Sequence, residues 1–203
     1  MLDFSLVIPT LNEAQNIRPL VQAISVACRK HNLSPEIIFV DDDSTDGTRA
    51  EIQDVKCSWP IHCIHREGVK GLTGAVVEGA RAASTDIIVV MDADLSHGAD
   101  SFDRFGEWGL ESVADIVIGS RYISGGRIEG WNKTRHLGSI IASRLAKLFT
   151  SVKDPLSGLF CTRREKILAI REGDQGFKIL LELLTSSNPS SRVVETDNFN
   201  DFP

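Results

Sequence analysis

Nowhere in the 203 residues does an apolar run approach the length of about 20 residues that a membrane-spanning helix needs. The start, Met1-Leu2-Asp3-Phe4-Ser5, lacks the basic opening and long apolar stretch of a secretory signal, so the expected location is cytoplasmic. Cysteine is scarce, and Cys28, Cys57, Cys63 and Cys161 form no C-x-x-C pair and no metal-ligand cluster. Such a set suits buried thiols in a reducing compartment. No G-x-G-x-x-G follows the first apolar run, which argues against a dinucleotide site, and no P-loop occurs. Internal repeats, low-complexity tracts and clear linkers are also lacking.

Acidic residues are outnumbered heavily in one long segment. Residues 119–153 hold seven basic side chains (Arg121, Arg127, Lys133, Arg135, Arg144, Lys147, Lys153) against Glu129, while the whole chain has a net charge of −6. A basic segment in an acidic protein points to a local anionic partner. It does not point to nucleic acid, which is bound by domains that are basic overall.

What is present is a chain of short, β-rich apolar runs separated by helical patterns. Residues 4–8, 36–40, 61–65, 86–91 and 115–119 read as strands, with a sixth apolar segment ending at Cys161 and a short strand at 192–195. The first helix is placed near Asn16 as N-cap, with Pro19 in its first turn and Leu20, Ile24 and Ala27 or Cys28 as its buried stripe. Further helices are placed at 47–55 (capped by Ser44 or Asp46), from Gly71 to about residue 83, and at 100–112, 134–150 and 177–184. Strands alternating with helices predict an α/β fold with a mostly parallel sheet covered on both faces, all in one domain. His62 and His65 read as edge-strand residues, since neither has a metal-ligand partner at suitable spacing.

Two acidic clusters stand where such a sheet presents ligands, at the carboxyl ends of strands. Asp41, Asp42 and Asp43 close the second strand; capping accounts for residues 43–46 but not for Asp41 and Asp42. The fourth strand runs into Asp92-Ala93-Asp94. Alternation along an extended chain would put Asp92 and Asp94 on the same side, and two carboxylates so close repel unless a cation stands between them. Mg²⁺ or Mn²⁺ shared with substrate phosphates meets that need, the bland alternative being two solvated carboxylates. The helix at 134–150 is apolar on one side (Leu137, Ile140, Ile141, Leu145) and basic on the other (Arg135, Arg144, Lys147), which suits either a packed helix or one on an anionic membrane surface.

Taken in order, Ile8-Pro9-Thr10-Leu11-Asn12-Glu13, Val40-Asp41-Asp42-Asp43-Ser44, Gly71-Leu72-Thr73-Gly74-Ala75, Met91-Asp92-Ala93-Asp94-Leu95-Ser96-His97, Gly119-Ser120-Arg121-Tyr122, Trp131 with Arg135, Asp154 with Ser157-Gly158, and Gly176-Phe177-Lys178-Ile179 make a series. It resembles the family 2 glycosyltransferases of the GT-A fold, and among them the polyprenyl-phosphate (dolichyl-phosphate) mannosyltransferases. The resemblance covers residues 4–196. It implies transfer of a sugar, with inversion, from a nucleotide donor to a polyprenyl phosphate. The first choice of donor is GDP-mannose; the alternatives are UDP-glucose or another sugar nucleotide, or a non-catalytic sugar-nucleotide-binding subunit. The resemblance divides the domain into a nucleotide-binding part, about 1–120, and an acceptor- and membrane-facing part, about 121–203. It assigns the nucleotide site to Pro9, Leu11, Glu13, Val40, Asp42, Ala75, Asp92 and Ala93, with Asp42 on the base. It assigns Mg²⁺ or Mn²⁺ to Asp94, Asp92 and Ser96, catalysis to Asp92, Asp94, Arg121 and Arg135, and the acceptor to Arg121, Arg135, Ser157 and Gly158. An acceptor that lives in a bilayer implies a protein held peripherally at the cytoplasmic face of a membrane, with the helix at 134–150 against it. Relatives continue beyond the last strand with a basic tail, whereas this sequence ends in acidic residues 195–203, which leaves acceptor binding open.

Overall fold

Side-chain alternation along the apolar runs decides the architecture: a strand whose successive residues are all apolar must be covered on both faces. The computed structural model describes residues 2–67, 71–96, 114–120, 152–170, 179–186, 188 and 190–197. In chain order the elements are β1 (Phe4–Thr10), α1 (Ala14–Lys30), β2 (Pro35–Asp41), α2 (Thr48–Asp54), β3 (Ile61–His65), α3 (Leu72–Ala82), β4 (Ile87–Val90), β5 (Ile116–Ser120), β6 (Phe160–Arg163), α4 (Arg164–Leu168), α5 (Ile179–Ser186) and β7 (Val193–Asp197). The strands form one seven-stranded sheet in the order β3-β2-β1-β4-β6-β5-β7. Pairing is parallel for β1 with β2 and β4, β2 with β3, and β5 with β7. β6 lies antiparallel between β4 and β5.

The two faces divide by residue parity. Leu6 and Ile8 of β1, Ile37 and Phe39 of β2 and Val89 of β4 pack with α1 and α2 residues such as Leu20, Ile24 and Ile52. Val7, Ile38, Val40, Ile88 and Val90 face the other way, onto Val76 and Ala80 of α3, Ile167 of α4 and Leu180 of α5. Each large aliphatic side chain buried in this way contributes on the order of 1.5–3 kcal/mol. Thr73 of α3 donates to Glu182 of α5 at 3.0 Å, joining the helices on that face. The predicted stripe of α1 is buried at Leu20, Ile24, Ala27 and Cys28, together with Ile17 and Val21.

The start of α1 departs from expectation. The helix begins at Ala14, so Asn16 is not its N-cap and Pro19 stands beyond the first turn. The cap comes from elsewhere in the chain. The Ala14 N–H donates to Asp46 Oδ2 at 3.0 Å and the Glu13 N–H to Thr48 Oγ1 at 2.8 Å. Donors satisfied from 32 and 35 residues away let the helix start early, which a local capping rule does not register. Asp46 also accepts from the Thr48 N–H, so it serves the start of α2 as expected. Ser44 instead accepts from the Asn12 N–H at 2.8 Å and does not cap α2.

β3, which carries His62 and His65, is an edge of the sheet, in line with their reading as edge residues. Cys28 and Cys161 are buried, Cys57 and Cys63 half-buried, and all four thiols are free. The expected helices at 100–112 and 134–150 lie outside the described residues, as do Arg121, Trp131 and Arg135. Among the described residues no helix is long and apolar enough to cross a membrane.

Candidate active site

The chain moves outward from β1 through β2 to β3 and then returns to place β4 on the other side of β1. Such a reversal opens a crevice at the carboxyl ends of the two central strands, where ligands of open α/β sheets bind. The β1–α1 loop and the segment after β4 flank this crevice. The first is fixed by the β2–α2 loop: besides the contacts of residues 12–14 already described, the Thr45 N–H donates to Asn12 Oδ1 at 2.9 Å. Asn12 takes a φ of 58°, and Leu11 is left 49% exposed at the mouth of the site. Glu13, half-buried, accepts from the Asn16 side-chain amide.

The acidic run after β2 is resolved residue by residue. Asp41, fully buried, accepts from the Ser44 N–H at 3.2 Å and lies 3.5 Å from Arg49 Nε. Asp42, also buried, accepts from the Gly71 N–H at 2.7 Å and lies 3.0 Å from Arg66 Nη1. Asp43, at a φ of 66°, lies 3.4 Å from His65 Nε2. Three consecutive carboxylates are tolerable because each faces a basic side chain from a different place in the chain. Arg66 was not singled out by sequence reasoning. The signal was its position, directly after β3 and level with the Asp cluster that ends the neighbouring strand.

The two carboxylates after β4 are not equivalent, contrary to the expectation that both leave on one side. β4 ends at Val90, and the following residues turn, with Leu95 at a φ of 59°, so strand alternation does not extend to residues 92–94. Asp94 is exposed, and its Oδ1 accepts from the Ser96 N–H at 3.0 Å. Asp92 is half-buried and turned inward against Gly158. A Cβ at Gly158 would collide with Asp92 Oδ2 and Cγ and stand 2.8 Å from Oδ1. Asp92 also borders a cavity of about 30 Å³ walled by Leu72, Val90, Leu156, Phe160 and Ile179.

Ser157, assigned to the acceptor by resemblance, is buried. Its hydroxyl donates to the Gly119 carbonyl and accepts from the Leu159 N–H at 3.1 Å. The Ser157–Gly158 pair therefore ties the turn before β6 to the end of β5 and leaves room for Asp92. Asp154, fully buried, and Lys153 donate their backbone N–H groups to Glu195 at 2.9 and 2.8 Å, so the first acidic residue of the tail helps hold this turn. Val40, Ala75 and Ala93 are core residues, at most 4% exposed, so the structure brings none of them to the surface of the crevice.

Among the described residues no three His, Cys, Asp or Glu side chains come close enough to form a ready-made metal cage. The donor set nonetheless fits a hard cation that keeps part of its shell for phosphate or water oxygens: an exposed carboxylate at Asp94, with Asp92 and the Ser96 hydroxyl nearby in sequence.

Together these features define a sheet of the GT-A type, with carboxylates after β2 and β4 and a glycine-bearing turn opening α3. Residues 5–170 match the model of Glycosyl transferase family 2, and the chain belongs to that family. It is 40% identical over 195 residues to a dolichol-phosphate mannosyltransferase of Pyrococcus furiosus, a match covering 94% of this chain and 54% of that protein. It is 32% identical over 191 residues to a Saccharomyces cerevisiae protein of the same name, covering 90% of this chain and 70% of the other. A Pyrobaculum calidifontis mannosyltransferase, solved with GDP-Man and Mn²⁺, shares the fold with a TM-score of 0.67 at 17% identity, covering 96% of this chain and 55% of that one. The chain thus spans about half the length of the Pyrococcus relative.

Proposed function

We propose that this chain carries the catalytic domain of a transferase that moves mannose from GDP-mannose to a polyprenyl, dolichyl-type phosphate, with inversion at the sugar. The observation that carries the reading is the pairing of an exposed Asp94 with an inward-held Asp92 at the switch point, in a chain whose relatives are named for this reaction. Asp42 accepts an N–H of the nucleobase, and Pro9, Leu11 and Glu13 line the nucleoside from the β1 side. Asp94, Asp92 and Ser96 would hold Mg²⁺ or Mn²⁺ together with the diphosphate; when bound, that cation offsets the negative charge that develops on the leaving group.

The nucleophile in this reading is an oxygen of the acceptor phosphate. With a second pKa of about 6 it is largely ionised at neutral pH and needs no strong base from the protein. Arg121 and Arg135, in the basic segment, are assigned to the phosphates of acceptor and donor. The C1–O bond to the departing diphosphate breaks as the acceptor oxygen bonds to C1 from the opposite side, which inverts the centre. The acceptor's lipid places the protein peripherally at the cytoplasmic face of a membrane.

Calorimetric titration with GDP-mannose and UDP-glucose, each with and without Mn²⁺, tests the site. Transfer to a short polyprenyl phosphate tests the reaction. Metal-dependent binding of GDP-mannose followed by transfer is the expected outcome. Metal-dependent binding of UDP-glucose alone would move the donor to the other base, since Asp42 can accept from guanine or uracil. Affinity for neither would refute the proposal.

A further inference from the structure

Arg66 is buried, its side chain 4% exposed, yet it joins the end of β2 to α3 and its opening turn. Nη1 lies 3.0 Å from Asp42 Oδ1 at the end of β2 and donates to the Gly71 carbonyl at 3.1 Å. Nε lies 3.2 Å from Glu78 Oε2 on α3. The Gly71 N–H returns to Asp42 Oδ2 at 2.7 Å, so Asp42, Arg66 and Gly71 close a ring of contacts. α3 is shaped around the guanidinium: a Cβ at Gly74 would stand 2.6 Å from Nη2. Stability alone is a weak reason to keep such a buried pair, because desolvating two charges offsets much of their attraction. Asp42 Oδ1 is buried beside the cation without an aligned hydrogen bond, so its orientation rests on the guanidinium, and the 11% of the side chain left exposed is what the carboxylate can offer a ligand.

We infer that Arg66 is the positioning residue of nucleobase recognition: it holds the Asp42 carboxylate against the first turn of α3 in the orientation that accepts an N–H from the base. This rests on the reading of Asp42 given under Proposed function. The guanidinium is needed for its shape as well as its charge, because partners in three directions require a planar fork that an ammonium does not provide. Gly74 belongs to the same device as the recess that the fork occupies.

The test titrates the full chain, with Mn²⁺ present, against GDP and against ribose 5-diphosphate, which carries the same charge pattern without a base. Arg66→Lys should weaken GDP binding by about tenfold or more, as expected for losing a hydrogen bond to a charged group. It should leave ribose 5-diphosphate within about twofold, and it should add nothing in an Asp42→Asn background, as expected for residues that act as one unit. Gly74→Ala displaces the guanidinium while giving α3 a better helix former. It should weaken GDP binding in the same selective way while the chain stays folded at the temperature of the titration, and it decides the matter if Arg66→Lys does not fold. Equal weakening of both diphosphates, or unchanged GDP affinity in the folded variants, would overturn the role of Arg66 while leaving the proposed function standing. A wild-type chain that binds ribose 5-diphosphate as tightly as GDP, or binds neither, would instead overturn the reading of Asp42.

Discussion

Replacing Gly158 by alanine tests the support of Asp92 directly. The added Cβ would collide with Asp92 Oδ2 and Cγ, and neither side can yield freely. The turn is held by the Ser157 hydroxyl between Gly119 and Leu159, and by Glu195 accepting from residues 153 and 154. Overpacking of this kind costs about 1–3 kcal/mol. For a chain of this size that corresponds to a fall of about 2–12 °C in melting temperature, at 2–4 °C per kcal/mol. If the relief comes from rotating Asp92 outward, metal-dependent affinity for GDP-mannose should fall by about tenfold, which is about 1.4 kcal/mol. A double-mutant cycle with Asp92→Ala, read by thermal unfolding and by calorimetry, checks the cause. Once the carboxylate is gone, Gly158→Ala should cost little, giving a coupling of about 1–2 kcal/mol. Strictly additive effects in both measurements would refute the claim that Gly158 is there to seat Asp92.

Other consequences are open to simple assays. Asp94→Ala should abolish the Mn²⁺ dependence of GDP-mannose binding while leaving the melting temperature within about 1 °C, because an exposed loop carboxylate contributes little to folding. Burial pushes the Glu36 carboxyl upward, but hydrogen bonds from the Ser84 N–H and from the Ser5 and Ser84 hydroxyls outweigh it and hold the group below its ordinary value of 4.5. A carboxyl lowered in the folded state stabilises the protein above its unfolded pKa and loses that contribution as the pH falls. Denaturant titrations between pH 7 and pH 3 should therefore show stability falling below about pH 4.5, with a flatter profile in Glu36→Gln. Burial pushes the thiols of Cys28, which also feels Asp3 and Cys57, and of Cys161 up to about 12. Both should resist a thiol reagent at pH 8 in the native state and react once guanidinium unfolds the chain.

Much of this fold is legible locally, and the misreadings share one physical source. The strands are short apolar runs bounded by acidic or glycine-bearing turns, and their faces follow from parity, so β1 to β5 fall within a residue or two of where the pattern puts them. The start of α1 is misread because its donors are satisfied by Asp46 and Thr48, which no window around Asn16 contains. The same holds at the site. The three Asp residues after β2 look like uncompensated repulsion until the fold brings Arg49, Arg66 and His65 to them. Asp92 and Asp94 look alike until the turn after Val90 separates them and Gly158, more than sixty residues onward, receives one of the two. Residue type and strand position locate a carboxylate; its direction is decided by side chains that are distant in sequence.

The antiparallel insertion of β6 between β4 and β5 has a consequence for the order of assembly. As the chain leaves the ribosome, β1 to β4 can pair as soon as they emerge, but β5 has no place beside β4 until residues 160–163 arrive to bridge them. The turn that seats Asp92 is made in the same late step. A nascent chain therefore has Asp41 and Asp42 at the end of β2 early and the seat of Asp92 last. Any property that depends on a seated Asp92 is then acquired only after β6 has joined the sheet, and a stalled or truncated product would lack it.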